Sequence, residues 1–201
     1  MNFLSIDCST DIGSLFVKTK NKTFNKVLQS DKFNNDLLMK QILDFFGHNN
    51  LKINDISHIF VNQGPGNFSG LRGSIAIAKG ISMAENLQLF GYSTFILSAA
   101  KYYNKKNFIY SFIKFRDKYF YKKFNNSLIS TSEIQETTEE EIIKKYNNEF
   151  KVIPKSAKKY FDDKILKFNN LNFVDLDHND LEFLKIRGLL VKEVVKPLYL
   201  N

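Results

Sequence analysis

The sequence contains no tryptophan, three prolines, three histidines and a single cysteine, Cys8, among 201 residues. One cysteine cannot form a disulfide within the chain, so a reducing compartment, the cytoplasm, is expected. His48, His58 and His178 show neither H-x-x-x-H nor H-E-x-x-H spacing, which would place two imidazoles on one helical face. The sequence therefore predicts neither a disulfide scaffold nor a histidine-based metal site.

Long hydrophobic runs are also lacking. The apolar segments are too short and too often interrupted to cross a membrane. The first residues, 1–7, have no basic stretch of the kind that begins a signal peptide. With 43% hydrophobic and 25% charged residues, the composition is typical of a folded globular protein. We expect one domain or two small lobes, with no membrane association.

Arginine is scarce, because only three of the 29 basic residues are arginine, although the net charge is +8. Such a charge can indicate nucleic-acid binding, but arginine is the preferred residue for bidentate phosphate contacts. Scattered lysine beside abundant asparagine and phenylalanine is also what an A+T-rich coding sequence produces. Residues 119–124 mix aromatic rings with lysine, as single-strand binders do. The two faces of a strand explain that segment equally well, so RNA binding stays an alternative.

The hydrophobic pattern predicts the same order of elements twice, which indicates a duplicated α/β unit. In the first half the expected strands are 3–7, 14–18, 23–28, 56–62 and 89–92, and the helices are 34–46, 69–88 and 93–103. In the second half the expected strands are 108–114, 119–124, 127–129 and 150–153, and the helices are 138–146 and 180–190. Mixed sheets covered by helices suit this order, in lobes 1–103 and 104–201.

A glycine-rich segment, Gly64 to Gly73, separates a predicted strand from a predicted helix. Glycine permits backbone conformations that a Cβ forbids, and N–H groups at a helix start can bind an anion. The segment lacks the Lys-Ser/Thr ending of a P-loop, however, so we interpret it as a structural turn. We expect Arg72 to contact carbonyls of the loop or of a partner. The residues assigned to this structural loop are Gly64, Pro65, Gly66, Ser69, Gly70 and Arg72.

The helix after this loop carries a stripe of small residues at steps of three and four. The stripe consists of Gly73, Ala76, Gly80 and Ala84. After Arg72 the only charged residues of this helix are Lys79 and Glu85. A helix that is apolar on nearly every face needs cover beyond its own sheet. The pattern leaves two possible covers open, the neighbouring helix at 34–46 and a second protein.

Three segments of the chain resemble the TsaB (YeaZ) family of bacterial tRNA threonylcarbamoyladenosine biosynthesis. Residues 6–10 read I-D-C-S-T, where family members look like I-D-T-S-T. Residues 64–72 match the glycine, proline, phenylalanine and arginine positions of the family pattern G-P-G-S-F-T-G-x-R, and residues 197–200 follow P-x-Y-L. The resemblance is strong over residues 1 to about 100 and loose afterwards. Residues 35–39 and 114–116 depart from the usual family pattern.

The resemblance implies an actin- and Hsp70-like ATPase (ASKHA) fold built from two ribonuclease-H-like lobes. It implies a non-catalytic scaffold without a cofactor that binds a TsaD-like transferase, with a TsaE-like ATPase in the larger complex. It also implies a possible homodimer when the protein is alone, and only indirect contact with tRNA. The partner surface implied by the first two helices consists of Leu37, Leu38, Ile42, Gly73, Ala76, Ile77, Gly80 and Ala84.

The alternative function is an active enzyme of the actin-like fold, either a phosphotransferase or a stand-alone threonylcarbamoyl transferase. Asp7 ends the first predicted strand, where actin-like ATPases place an acid that organises metal or phosphate. Such enzymes need several carboxylates around Mg²⁺, and in the first half only Asp11 accompanies Asp7 near a turn. We interpret Asp7 as a strand-end residue that bonds the backbone of residues 8–10, and Cys8 as a buried apolar residue.

Overall fold

A computed structural model of the protein describes residues 1–28 and 35–200. The chain forms two compact units. The first comprises Met1–Ser93 together with the C-terminal segment from Leu181, and the second comprises Thr94–Asp180. The lobes expected from sequence, 1–103 and 104–201, differ from this division at both ends of the second unit. The C-terminal segment returns to the first unit, which a pattern read along the chain does not reveal.

The first unit is a five-stranded mixed sheet with two helices. Its strands are β1 (Phe3–Asp7), β2 (Gly13–Lys18), β3 (Thr23–Leu28), β4 (His58–Asn62) and β5 (Gln88–Tyr92), and its helices are α1 (Asn35–His48) and α2 (Phe68–Ala84). The strand order is β3-β2-β1-β4-β5. The pairs β1–β2 and β2–β3 are antiparallel, whereas β1–β4 and β4–β5 are parallel.

Burial in the first unit follows from this topology. Every residue of β1 and β4 is buried, as expected for central strands with protein on both faces. Strand β2 alternates buried and half-buried residues, because successive side chains point to opposite faces. Helices α1 and α2 supply Ile42, Phe45, Ile75 and Ala78 to the core that covers the sheet.

The second unit repeats the arrangement. Its elements are α3 (Thr94–Ala99), β6 (Phe108–Phe115), β7 (Lys118–Asn125), β8 (Gln135–Thr137), α4 (Glu139–Lys145), β9 (Lys151–Pro154), α5 (Asp163–Leu166) and β10 (Leu171–Val174). The strand order is β10-β9-β6-β7-β8, with β6–β7–β8 antiparallel and β6–β9–β10 parallel. The predicted α/β fold with mixed sheets covered by helices is thus confirmed. A last helix, α6 (Asp180–Ile186), begins the C-terminal segment.

One strand of the second unit was predicted in the wrong place. Residues 127–129 form a turn, in which the Asn125 side chain accepts hydrogen bonds from the backbone N–H groups of Ser127 and Ile129. Leu128 adopts a φ of 60° there, which an extended strand does not allow. The third strand is instead β8, eight residues further on. The short elements α5 and β10 were not predicted.

The ends of helix α4 are both satisfied by side chains. Thr138 caps its start by accepting a hydrogen bond from the backbone N–H of Glu141. At its C-terminal end the ammonium of the buried Lys151 donates to the carbonyls of Tyr146, Asn147 and Glu149, at 2.6, 2.9 and 2.8 Å. Tyr146 is the C-cap residue of α4, and Asn147 and Glu149 lie in the turn that follows it, so Lys151 fastens the exit of the helix.

Within residues 1–28 and 35–200, no helix has the length and apolar character needed to cross a membrane.

Candidate functional site

Asp7 ends β1 with both carboxylate oxygens occupied by its own chain. Oδ1 accepts hydrogen bonds from the backbone N–H and the hydroxyl of Ser9, at 2.9 and 2.7 Å. Oδ2 accepts from the side-chain amide of Asn62 at 2.9 Å, and the carbonyl oxygen of that amide accepts from Gly64 N–H at 2.8 Å. The interpretation of Asp7 as a strand-end residue that bonds the following turn is confirmed. Three hydrogen bonds from its own chain thus use most of the acceptor capacity of this carboxylate.

The glycine loop packs directly against the turn that follows Asp7. A Cβ on Gly66 would come inside 3.0 Å of the Ser9 carbonyl, and a Cβ on Gly70 inside 3.0 Å of the Cys8 carbonyl. Asn67 N–H donates to the Ser9 carbonyl at 2.8 Å. The side of the loop that faces residues 8–10 is therefore filled by protein backbone. Two of its glycines are required because backbone approaches them, as expected for a structural turn.

The C-terminal segment docks onto the same loop through Gln63. The Gln63 side-chain amide donates to the Lys196 carbonyl at 2.8 Å, and Leu198 N–H donates to the Gln63 carbonyl at 2.7 Å. Gly91 leaves room for the Gln63 side chain, since a Cβ there would come inside 3.0 Å of it. Sequence analysis missed Gln63 and Asn62. The available signal was a pair of polar residues placed between an apolar strand and the glycine loop.

Among the described residues Arg72 forms no hydrogen bond to a loop carbonyl, and its guanidinium lies over an aromatic ring. The alternative contact, with carbonyls of a partner, stays a prediction. The Cζ of Arg72 is 4.6 Å from the centroid of Phe68, and the ring of Tyr199 lies 5.3 Å from that of Phe68. Both rings are about half exposed, at 53% for Phe68 and 50% for Tyr199. The start of α2 thus presents a stack of one cation and two aromatic rings to the solvent.

The small-residue stripe of α2 lies on the side of the helix away from the core. Ala76, Gly80 and Ala84 are exposed, while Gly73 and Ile77 are half-buried. A Cβ on Gly80 would meet no described atom within 4 Å. Buried residues occupy the opposite side of the helix: Gly70, Leu71, Ser74, Ile75, Ala78 and Ile81. Neither α1 nor any other described segment covers the stripe at Gly80.

The three residues predicted on α1 divide between surface and core. Leu37 is 47% exposed, and the neighbouring Leu43, which sequence analysis did not select, is 49% exposed. Leu38 and Ile42 are only 4% and 0% exposed and belong to the protein's own core. They cannot contact a partner directly in this structure. The hydrophobic pattern alone does not distinguish them from Leu37, because all three are apolar residues of one helix.

The titratable groups near the loop do not form a reactive set. Burial, followed by the nearby Asp7 charge, strongly raises the pKa of the Cys8 thiol, so the thiol stays protonated at neutral pH. Cys8 is fully buried, which confirms its interpretation as a core residue. Among the described residues, no group of three or more His, Cys, Asp or Glu side chains could hold a metal ion.

The aromatic residues of segment 119–124 do not form an open RNA-binding face. Tyr119, Phe120 and Phe124 are buried, in a strand whose two faces contact different parts of the second unit. The structural explanation of this run is therefore correct for its aromatic residues.

Comparison of the sequence with known proteins identifies relatives that match about half of it. The model of the family TsaD, tRNA N6-adenosine threonylcarbamoyltransferase, matches residues 30–109. A TsaB protein of Buchnera aphidicola subsp. Baizongia pistaciae is 33% identical over 104 residues, which are 50% of this chain and 46% of the relative. The TsaB of subsp. Schizaphis graminum is 28% identical over 102 residues, 51% of this chain and 49% of the relative. The match thus spans about half the length of these curated relatives.

Solved structures match the whole chain. A Pseudomonas aeruginosa protein described as similar to peptidase YeaZ superposes with a TM-score of 0.74 at 17% identity, covering 100% of this chain and 99% of that one. YeaZ from the same organism gives a TM-score of 0.72 at 17% identity and covers 99% of both chains. At this identity the likeness establishes the fold alone, a chain of two α/β units with mixed sheets, as in YeaZ. The sequence relatives and this fold support the resemblance to the TsaB (YeaZ) family that residues 6–10 and 64–72 carry.

Proposed function

We propose that this protein is a non-catalytic subunit in the synthesis of N6-threonylcarbamoyladenosine in tRNA, where it binds and supports a TsaD-like transferase. The names of its sequence relatives support the pathway. The hydrogen bonds from Ser9 and Asn62 to the Asp7 carboxylate support a non-catalytic role, because they use most of the acceptor capacity of that acid. The observation that carries the proposal is the exposed small-residue stripe of α2.

The stripe is suited to close contact with another helix. Small residues let a second helix backbone approach, and the flanking apolar side chains then lose contact with water. Met83, 83% exposed, and Leu37 are such side chains on α2 and α1. Fully burying one side chain of this size contributes about 1.5–3 kcal/mol. A partner whose competent conformation binds here more tightly than its other forms is shifted toward that conformation.

The test is a Gly80→Leu variant assayed for co-purification with the cognate TsaD-like protein. We expect the fold to be unaffected, since the new side chain points into open space, and the complex to be lost, since leucine prevents close approach. Gly47→Leu is the matched control, because Gly47 is also a helical glycine with no described atom near its Cβ position. It lies outside the proposed surface and should co-purify normally. Equal retention of both folded variants would contradict the proposal.

The proposal has three further parts. A TsaE-like ATPase joins the larger complex, the protein self-associates in the absence of TsaD, and it is located in the cytoplasm. Light scattering of the protein alone tests self-association. The same measurement on its mixture with TsaD, with and without TsaE, tests whether TsaE joins the complex. ATP hydrolysis or tRNA modification by the purified chain without a partner would contradict a non-catalytic role and favour the actin-like enzyme.

A further inference from the structure

Lysine and aromatic side chains gather at one end of the sheet in the second unit. This lysine–aromatic end consists of Lys101, Tyr102, Lys105, Lys106, Phe108, Lys123 and Phe150. Phe108 begins β6, and Phe150 directly precedes β9, which runs parallel to β6. A backbone hydrogen bond of 2.9 Å from Tyr110 N–H to the Phe150 carbonyl joins the two strand starts. The segment after α3 supplies Lys101, Lys105 and Lys106, and β7 supplies Lys123.

The aromatic rings and ammonium groups of this end contact one another. The rings of Tyr102 and Phe150 lie 4.7 Å apart in an edge-to-face arrangement. The ammonium of Lys106 is 4.7 Å from the Phe150 centroid, and that of Lys101 is 5.2 Å from the Tyr102 centroid. Cations therefore stand beside aromatic rings that are only partly buried, an arrangement suited to a ligand with both negative charge and flat rings.

Phe108 and Lys123 form a second contact of the same kind. The Lys123 ammonium lies 4.0 Å from the Phe108 centroid, and the Phe108 ring is 45% exposed. An exposed phenylalanine at the start of a strand can accept a stacked base on its free face. The loop at residue 104 is held near this place by a 2.8 Å hydrogen bond from Asn104 N–H to the Asn126 carbonyl.

The charges of this end are not neutralised by ion pairs. Within the described part of the chain, none of the four lysines of this end pairs with a carboxylate. By contrast, Lys144, Lys145 and Lys164 of the same unit pair with Glu140, Glu141 and Glu139. Asp180 is close enough to interact electrostatically with Lys101 and Lys105, although it forms no ion pair with them. The lysine–aromatic end therefore keeps a local excess of positive charge.

We propose that the lysine–aromatic end binds RNA directly, with its lysines on phosphates and Phe108 and Tyr102 against unpaired bases. The choice of RNA among polyanions rests on the proposed function. The proposal goes beyond that function, because the family resemblance implies only indirect contact with tRNA. Lysine-lined surfaces with exposed aromatic rings are the usual platform for single-stranded nucleic acid.

The test measures fluorescence anisotropy of a labelled oligouridine of about 15 nucleotides and of unfractionated tRNA, with the full chain and no partner. We expect affinity for both to fall with salt between about 50 and 200 mM. A Lys101→Gln/Lys105→Gln/Lys106→Gln variant should bind about tenfold more weakly, with a salt slope smaller by about two. Phe108→Leu should lose about fivefold in affinity for the oligouridine while its salt slope stays unchanged, because stacking releases no counterions.

The matched control is Lys144→Gln/Lys145→Gln/Lys164→Gln, which removes the same charge from lysines that already have carboxylate partners. It should keep affinity for both RNAs within about threefold, as a general charge effect is screened by salt. Equal weakening by the two triple variants would overturn the proposal, as would a wild-type chain that binds neither RNA at low salt. If polyglutamate bound as tightly as RNA, the lysine–aromatic end would be a site for acidic ligands in general and not for RNA. None of these results depends on whether the chain binds TsaD, so failure here is distinguishable from failure of the proposed function.

Discussion

At the residue scale, the glycine loop is defined by individual close approaches between backbones. Gly66 lies against the Ser9 carbonyl and Gly70 against the Cys8 carbonyl, so neither position has room for a Cβ. Gly80 belongs to the same helix-loop region but faces open space. Glycine thus serves two different purposes within residues 66–80.

Gly66→Ala is expected to destabilise the protein by about 3 kcal/mol, because its methyl group overlaps the Ser9 carbonyl and the interlocked turn must move. Gly80→Ala is the matched control. It adds the same methyl group in open space within a helix and should stabilise the protein by about 0.5–1 kcal/mol. Urea unfolding of both variants measures the two free-energy changes. Similar stability of both variants would show that loop and turn are not in the described contact.

Protonation of His58 should lower the stability of the first unit as the pH falls. The His58 ring lies beside those of Phe60 and Phe90 and nearly parallel to both, and Nε2 is buried without a hydrogen-bond partner among the described residues. Burial lowers its pKa from the ordinary 6.5, and the charges of Lys185 and the N-terminus lower it further, while Glu182 opposes them. The folded state therefore resists protonation.

Below pH 6.5 the unfolded chain binds a proton at His58 that the folded chain does not. Stability should consequently fall as pH drops through 6.5 toward the lower folded pKa, by up to about 1 kcal/mol per pH unit from this group. In His58→Phe, which keeps an aromatic ring, the fall should be shallower. Urea unfolding of both proteins at several pH values from neutral to mildly acidic measures the difference. Parallel pH profiles would exclude His58 as the titrating group.

At the element scale, α4 depends on a lysine from the next strand. The Lys151 ammonium has three donors, and each finds a carbonyl at the C-terminal end of the helix. A cation at this end also interacts favourably with the helix dipole. No local pattern distinguishes Lys151 from the other lysines, because its burial depends on the position of β9 between β6 and β10 in the sheet.

Lys151→Met should destabilise the protein by about 2 kcal/mol, because it removes the ammonium from the carbonyls of Tyr146, Asn147 and Glu149, of which the Tyr146 carbonyl keeps the N–H of Glu149. Lys145→Met is the control, since the Lys145 ion pair with Glu141 is exposed and contributes little. Chemical unfolding of the two variants, together with the loss of helical circular dichroism, provides the measurement. Equal stability of the two variants would mean that water replaces Lys151 at the helix end.

The hydrophobic pattern predicted the helices of the first unit but not which of their sides would be buried. The hydrophobic spacing correctly predicted α1 and α2, and the small-residue stripe was visible without coordinates. Which side of each helix meets the sheet was not visible, because Leu37, Leu38 and Ile42 are equally apolar. Burial is decided by how α1 rotates onto the sheet, and that rotation placed Leu38 and Ile42 in the core.

At the scale of the whole molecule, the chain consists of two units with corresponding sheets. Each sheet has three antiparallel strands joined to two parallel ones in the same order. The repeated order of elements predicted this duplication, although no residue-level repeat is visible. The return of the C-terminal segment to the first unit was not predicted, since it depends on contacts such as Gln63 with Lys196 that join residues far apart in sequence.

By itself, the sequence determined the α/β class, the order of its main elements, the glycine turn and the resemblance to the TsaB (YeaZ) family, because these depend on local periodicity and short motifs. The tertiary structure decided which residues are available for binding. It occupied the Asp7 carboxylate with Ser9 and Asn62, left the α2 stripe open and brought Lys106 to the Phe150 ring. These outcomes follow from strand pairing and helix packing between distant segments, and local sequence patterns do not encode such pairings.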